Sequence, residues 1–294
     1  MKKIVVDYQL SKRETKNLEG EFVDEKNIDF LIDSDMDVYK PDGKPLLFFR
    51  KNYIKPKVLK NAYKSMIGAA QPTNNRGSAS GGQRVHRVLK DGTISKSTQS
   101  SEQVNSGIAG YFDRNAHYDY CRTTSFTKRN LEKFEKAMPL FKAVSEGFKT
   151  FVPGSYRLQK QMAEATHPNY VIKDTAFTTI TINKNYRAAV HTDAGDYEKG
   201  FGNLVAYMKN IEPVYLIFPR YRVGVNLMSN DLLLADVHEH HGNNKIIKKE
   251  KDGVRLSFVM YYRKNMIKCL SPTEELKRIQ TNKKIIAQRY LGVI

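Results

Sequence analysis

Apolar positions recur every two residues through much of the second half of this chain. Thr175 to Asn183 alternates threonine with apolar residues, and β-branched side chains dominate it. Such a pattern predicts a strand with one buried face. The runs Leu204–Met208, Val214–Phe218, Arg222–Leu227, Asp231–Ala235 and Arg255–Tyr262 read the same way, punctuated by Gly, Asn, Asp and Pro. Many short strands at close spacing predict a jelly roll or barrel rather than a parallel α/β sheet.

The first half is more mixed. Leu46-Leu47-Phe48-Phe49 follows the turn-like Lys40-Pro41-Asp42-Gly43-Lys44, which predicts a hairpin. Leu131, Phe134, Met138, Phe141, Val144 and Phe148 fall at steps of three or four. They predict an amphipathic helix whose stripe is core, interrupted at Pro139. Ser271-Pro272-Thr273-Glu274 has the order of an N-cap, a proline at N1 and a capping-box glutamate, so a last helix is expected over about 271–290. Gln71 to Gly107 is rich in Gly, Ser, Asn and Thr, with Arg76, Arg84, Arg87, Lys90 and Lys96 scattered through it. It is expected as a flexible loop, serving as an active-site lid or a nucleic-acid contact. The expected class is α+β: a jelly-roll or barrel core over about 150–266, with flanking helices. An N-terminal α/β region carrying the loop 71–107 completes a single domain over 1–294.

Composition narrows the function. With 40% hydrophobic residues the 294-residue chain can bury a core, which excludes a disordered protein. Lys and Arg number 49 against 31 Asp and Glu, a net charge of +18. That excess favours a polyanionic partner, and nucleic acid is the expected one. The basic residues of the last helix, Lys277, Arg278, Lys283, Lys284 and Arg289, read chiefly as a solvated face. Two cysteines, Cys121 and Cys269, define no disulfide framework and fit a reducing cytosol. The apolar run before Asp7 is too short for a signal peptide, and no stretch approaches membrane-helix length. A soluble cytoplasmic or nuclear protein is expected, a virus- or phage-infected cell included.

The candidate chemistry begins at His191-Thr192-Asp193. On extended backbone, residues two apart share a face, so one imidazole and one carboxylate can reach one cation. A third ligand must come from elsewhere, and His238, His240 and His241 lie together. His241 is favoured because Gly242-Asn243-Asn244 reads as a turn that sets it at a strand end. His238 is the main rival, and Asp236 or Glu239 could supply an outer hydrogen bond. Two histidines and a carboxylate form the facial set that holds non-haem Fe(II) and leaves positions open for co-substrate and O₂. Zinc competes by ligand type, but Arg255, on a predicted strand with Ser257 two residues on, suits an oxygenase better. A guanidinium is a planar fork for a carboxylate, here the distal one of 2-oxoglutarate.

These residues lie in longer stretches that resemble a known family. Phe177 to Asn183, Ala189 to Asp196, Gly200-Phe201-Gly202-Asn203, Phe218 to Val223, Asp236 to Asn243 and Arg255 to Tyr262 are similar to the TET/JBP family of 2-oxoglutarate- and Fe(II)-dependent nucleic-acid base dioxygenases, which includes phage and viral members. The resemblance covers roughly 170–266, with Asn75-Arg76-Gly77 a fainter match upstream. Relatives often carry Gly-Gly where this chain has Ile211-Glu212-Pro213-Val214. The resemblance implies a double-stranded β-helix (jelly-roll, cupin-like) core, two antiparallel sheets that pinch a metal. It implies His191, Asp193 and His241 as iron ligands and Arg255, with Ser257, as the 2-oxoglutarate site. Asn183 is a further cofactor-side candidate, and Arg76, Asp196 and Arg222 are substrate candidates. The implied reaction is hydroxylation of the 5-methyl group of thymine or 5-methylcytosine in DNA. A free nucleoside, a small metabolite or a protein side chain is the alternative substrate; a non-catalytic nucleic-acid module is the alternative class.

Overall fold

The computed structural model describes residues 2–89, 91–115 and 118–290; Lys90 and the side chains of Arg87, Lys284 and Arg289 lie outside that description. The strands are β1 (Lys2–Val5), β2 (Phe30–Ile32), β3 (Met36–Tyr39), β4 (Pro45–Arg50), β5 (Gln71–Thr73), β6 (Arg84–Val88), β7 (Ile94–Ser100), β8 (Val104–Phe112) and β9 (Arg122–Thr123). They continue with β10 (Thr179–Lys184), β11 (Gly202–Lys209), β12 (Tyr215–Phe218), β13 (Val223–Asn226), β14 (Leu232–Ala235), β15 (Gly242–Asn243) and β16 (Val254–Tyr261). The α-helices are α1 (Lys12–Asn17), α2 (Pro56–Met66), α3 (Ser125–Arg129), α4 (Leu131–Phe151), α5 (Pro153–Ala165) and α6 (Pro272–Tyr290). No helix among the described residues is long and apolar enough to cross a membrane.

Two sheets form the jelly-roll core. The larger runs β1-β3-β4-β14-β11-β16-β10-β8-β5, with β9 on β8; the smaller runs β15-β12-β13-β2. β16 shows how the sequence builds the layers. Leu256, Phe258 and Met260 point to one face and meet Ile180, Ile182 and Val205 of its neighbours. Onto that face pack Leu59 and Met66 of α2 and Phe134, Phe141, Val144 and Phe148 of α4. Each such side chain contributes about 1.5–3 kcal/mol on leaving water. The alternate positions, Arg255, Ser257, Val259 and Tyr261, point the other way and line a cavity between the sheets. Elsewhere that space is filled by Leu204, Ala206 and Leu233 against Leu216, Phe218, Val223 and Val225.

The six strands expected between 175 and 262 are all present, as β10 to β14 and β16. The expected hairpin is β3–β4, antiparallel, and Gly43 has the positive φ of 77° that its turn requires. The sheets are not wholly antiparallel. β1 joins β3 and β2 joins β13 in parallel, at the two sheet edges. These N-terminal strands arrive by long connections, which hairpin geometry does not constrain. The core also reaches upstream of residue 150, because β3, β4 and β8 belong to the larger sheet.

Three other expectations are corrected. Residues 71–107 are not a loop: they hold β5, the antiparallel hairpin β6–β7 and the start of β8. The hairpin is closed by Leu89 N–H donating to the Thr93 carbonyl, by Gly92 N–H donating to the Leu89 carbonyl, and by Gly92 at φ 80°. Its strands pair with each other, so their stability needs little apolar periodicity. Helix α4 runs unbroken through Pro139, which lies on the exposed face, where water can bond the carbonyl that proline leaves without a donor. The predicted start of α6 is as expected: Ser271 Oγ accepts from Glu274 N–H while the Glu274 carboxylate accepts from Ser271 N–H.

The third correction concerns the cysteines, which were expected as separate thiols. Cys121 and Cys269 form a buried disulfide across 148 residues, beside β9 and just before α6. Closing so long a loop restricts the unfolded chain strongly. Cys269→Ser is expected to cost about 2–5 kcal/mol of stability. Thermal unfolding under oxidising conditions checks this; an unchanged Tm would contradict it.

Candidate active site

His191 and His241 face each other in an isolated antiparallel bridge. Each main-chain N–H donates to the other's carbonyl at 3.0 Å, and the ring centroids are 4.5 Å apart. Gly242 permits this approach: a Cβ there would lie 3.0 Å from the Ala188 carbonyl oxygen. Gly242 and Asn243 form β15 rather than the expected turn, because they pair with Ile217 and Leu216 of β12. His241 still sits at a strand end. Asp193 N–H donates to the Val237 carbonyl at 3.0 Å, which brings its carboxylate under both rings.

The rings are oriented for coordination. His191 Nδ1 lies 2.8 Å from the Ala189 carbonyl oxygen, and His241 Nδ1 lies 2.9 Å from that of Glu239. A carbonyl can only accept, so each Nδ1 carries the proton and each Nε2 keeps a lone pair. His191 Nε2 is 3.6 Å from one Asp193 oxygen and His241 Nε2 is 4.0 Å from the other. The three ligand atoms lie within 4.8 Å of one another. Metal bonds of about 2 Å put ligand atoms on one ion at such separations. Burial, and next the neighbouring His191, push the His241 imidazole down to about 4, so it stays in the neutral form that coordinates.

The other histidines are held elsewhere. His238 Nδ1 bonds Asp236 at 3.1 Å, and His240 Nε2 bonds Glu19 at 2.9 Å. His238 therefore is not the third member of the cluster. Nor do the carboxylates of Asp236 and Glu239 orient the triad, as was expected. Lys40 bridges both, at 2.9 and 3.3 Å, and Arg220 flanks Glu239 at 3.6 Å. Only the main-chain carbonyl of Glu239 reaches His241.

The triad opens into a cavity of about 390 Å³ that Arg255, Ser257 and Asn183 also line. Arg255 is 6% exposed, and its Nε has no hydrogen-bond partner. Burial pulls its guanidinium down to about 10. A buried, unpaired guanidinium is costly and suits a carboxylate that arrives with a ligand. Ser257 lies on the same strand face, and Asn183 is its cross-strand neighbour. Asn183 accepts a hydrogen bond from Ser106. These residues fit iron and 2-oxoglutarate: two neutral imidazoles and a carboxylate for the metal, an orphaned fork for the acid.

Of the substrate candidates, Arg76 and Asp196 line this cavity and Arg222 does not. Arg222 occupies a turn at φ 52°, with its guanidinium on Asp29 at 2.6 Å and on the Lys26 carbonyl at 2.7 Å. Its expected place in the pocket is corrected to that of a turn-fixing residue. Asp196 is buried, and one of its oxygens has no partner. Desolvation and the nearby Asp193 push its carboxyl well above the usual carboxylate range, against the opposing pull of Arg263. It can then donate as well as accept. The sequence reading missed Tyr261 and Arg263, which also line the cavity. Arg263 is fixed by Asp113 at 2.8 Å. The signal for Tyr261 was present: it continues the period-two face of Arg255 and Ser257.

Comparisons with known proteins agree with this geometry. Residues 107–264 match the Tet_JBP model, the oxygenase domain of the 2OGFeDO superfamily. The thymine dioxygenase JBP1 of Trypanosoma brucei brucei is 36% identical over 164 residues, covering 54% of this chain and 19% of that protein. The bifunctional helicase and thymine dioxygenase JBP2 of Leishmania major is 32% identical over 186 residues, covering 63% and 16%. The chain thus spans about a fifth of the length of these curated relatives. NgTET1, solved in complex with 5mC DNA, shares the fold at a TM-score of 0.57 and 12% identity, covering 92% of this chain and 100% of that one. With more than half its length matched by the family model, the chain belongs to the Tet/JBP family of 2-oxoglutarate- and Fe(II)-dependent oxygenase domains.

Proposed function

We propose that this protein hydroxylates the 5-methyl group of a pyrimidine, thymine or 5-methylcytosine, in DNA, using Fe(II), 2-oxoglutarate and O₂. One observation carries the reading: a single cavity holds an open His-Asp-His set and a buried arginine whose Nε has no hydrogen-bond partner among the described residues. Family membership supports the chemistry. The relatives named as thymine dioxygenases, and the neighbour solved with 5mC DNA, support the substrate.

His191, Asp193 and His241 would hold the iron, which with 2-oxoglutarate and O₂ supplies the oxidising power for a C–H bond. The backbone carbonyls of Ala189 and Glu239 engage the two Nδ1 atoms and so leave Nε2 as the coordinating nitrogen of each ring. Arg255, with Ser257 beside it, would hold the distal carboxylate of 2-oxoglutarate. The cavity between the sheets excludes bulk water and admits one extruded base. Asp196, buried in the cavity wall with one oxygen unpartnered among the described residues, is placed to hydrogen-bond the edge of that base. The +18 charge holds the phosphates and makes binding salt-sensitive. A DNA substrate places the enzyme in the cytoplasm or nucleus, that of a virus- or phage-infected cell included.

The test is direct. The enzyme is incubated with Fe(II), 2-oxoglutarate, ascorbate and DNA containing thymine or 5-methylcytosine, and the digested nucleosides are weighed by mass spectrometry. An oxidised pyrimidine is expected from one of the two DNAs, with succinate formed alongside. Succinate formed only with a free nucleoside, a metabolite or a peptide, and no oxidised DNA base, would overturn the substrate assignment.

A further inference from the structure

A second and larger cleft, about 910 Å³, adjoins the active-site cavity. The two share a wall. Gln71–Thr73 of β5 line the cleft, and the next residues, Asn75–Gly77, line the cavity. Ser106, in the cleft, donates to Asn183, in the cavity. Gly107 forms part of the cleft wall, where a Cβ would lie 1.9 Å from the Ala69 carbonyl oxygen, so the backbone itself closes that side.

The lining has one sign of charge. Arg122, Lys128 and Arg129 are in it, and none of its described residues is acidic. The nearby acids are engaged elsewhere: Asp119 with Arg278 at 2.9 Å and with Asn282, Asp113 with Arg263 at 2.8 Å. Among the described residues, Arg122, Lys128 and Arg129 form no ion pair with a carboxylate. Arg122 is nevertheless held in place. It donates to the Asp113 carbonyl at 2.9 Å, and its guanidinium lies 4.2 Å from the centre of the Tyr118 ring and 5.1 Å from that of Phe112. Tyr118 is 47% exposed, with Tyr120 edge-on to it.

Cations without acids select a polyanion. Aromatic rings beside them select one that carries bases, because stacking on Tyr is open to any base while cations follow the phosphates. The geometry points to this cleft as a track for the DNA strand that continues from the base held in the cavity, with Arg122, Lys128 and Arg129 on its phosphates and Tyr118 against a neighbouring base. The inference rests on the DNA reading above and adds where the rest of the strand lies. A strand entering the cavity past Asn75–Gly77 meets Gln71–Thr73 within its next few nucleotides.

The test uses Lys128→Gln/Arg129→Gln, two exposed side chains outside the catalytic site, and a control of equal charge change, Lys57→Gln/Lys60→Gln on α2. Binding of a fluorescent DNA oligonucleotide is measured against salt between about 50 and 200 mM. The cleft variant is expected to lower the slope of log K against log salt by roughly 2 and to raise the KM for DNA about tenfold. Its kcat and its KM for 2-oxoglutarate should not change, and the control should keep the wild-type slope. Tyr118→Ala should weaken binding about tenfold with the slope intact, as stacking requires. A cleft variant with the wild-type slope, in an enzyme that does oxidise DNA, overturns the track alone. Equal losses in both double variants reduce the effect to general charge and overturn it as well. Failure of the wild-type enzyme to oxidise DNA overturns the substrate reading and the track with it.

Discussion

Asp193→Ala is expected to abolish turnover while leaving DNA binding salt-sensitive and close to wild type. The carboxylate is the one anionic ligand of the triad and lies between both Nε2 atoms. Without it, two neutral imidazoles face the ion, and the metal loses most of the charge that holds it. Loss of several kcal/mol from such a site corresponds to about three orders of magnitude or more in rate. The side chain is part-exposed and bonds nothing in the core, so the fold should survive: its anchoring contact is main-chain, Asp193 N–H to Val237. Steady-state succinate formation, metal content and DNA affinity, measured on one preparation, separate these effects. A variant with wild-type activity would refute the ligand assignment.

Arg255→Met gives the second large effect, and it acts in opposite directions with and without co-substrate. In the free protein the guanidinium is buried without a carboxylate, and desolvation pulls it down to about 10. A base whose folded pKa is depressed destabilises the fold at all pH values below that pKa; the penalty fades as pH rises through it. At neutral pH the cost is about 3 kcal/mol. Methionine has similar bulk and no charge, so the ligand-free variant should unfold at the same temperature as wild type or higher. With 2-oxoglutarate present the order reverses. Losing a buried charge-assisted pair costs about 2–5 kcal/mol, which raises the KM for 2-oxoglutarate roughly 30-fold or more. Thermal unfolding with and without 2-oxoglutarate, alongside kinetics, tests both halves. An unchanged KM would remove Arg255 from the co-substrate site.

The two predictions depend on residues that were visible in the sequence for different reasons. β10 and β16 each bury a face against helices, so their apolar residues alternate, and the alternation placed Arg255 and Ser257 on the opposite face together. The same alternation carries on to Tyr261, whose place in the cavity needed only the period extended. His241 was preferred to His238 because a turn was read after it; β15 stands there instead, and His241 sits at a strand end all the same. What was hidden depends on partners distant in sequence. The hairpin β6–β7 has exposed apolar residues, Val88 and Ile94 among them, and so lacks the pattern that a core imposes. Arg222 lies in a family-like stretch, but its positive φ and its bond to Asp29 follow from the turn, not from the motif. No count of two cysteines reveals a pairing across 148 residues. The upward push on the Asp196 carboxyl comes from burial beside Asp193, which a linear pattern does not contain.

The central claim is that this cavity places a DNA pyrimidine methyl group against an iron held by His191, Asp193 and His241. Turnover under ¹⁸O₂, followed by digestion and mass spectrometry, tests it most directly. The account predicts one labelled oxygen in the hydroxymethyl pyrimidine and the other in succinate, in the wild type and not in Asp193→Ala. Labelled succinate with no labelled base in any DNA would contradict it.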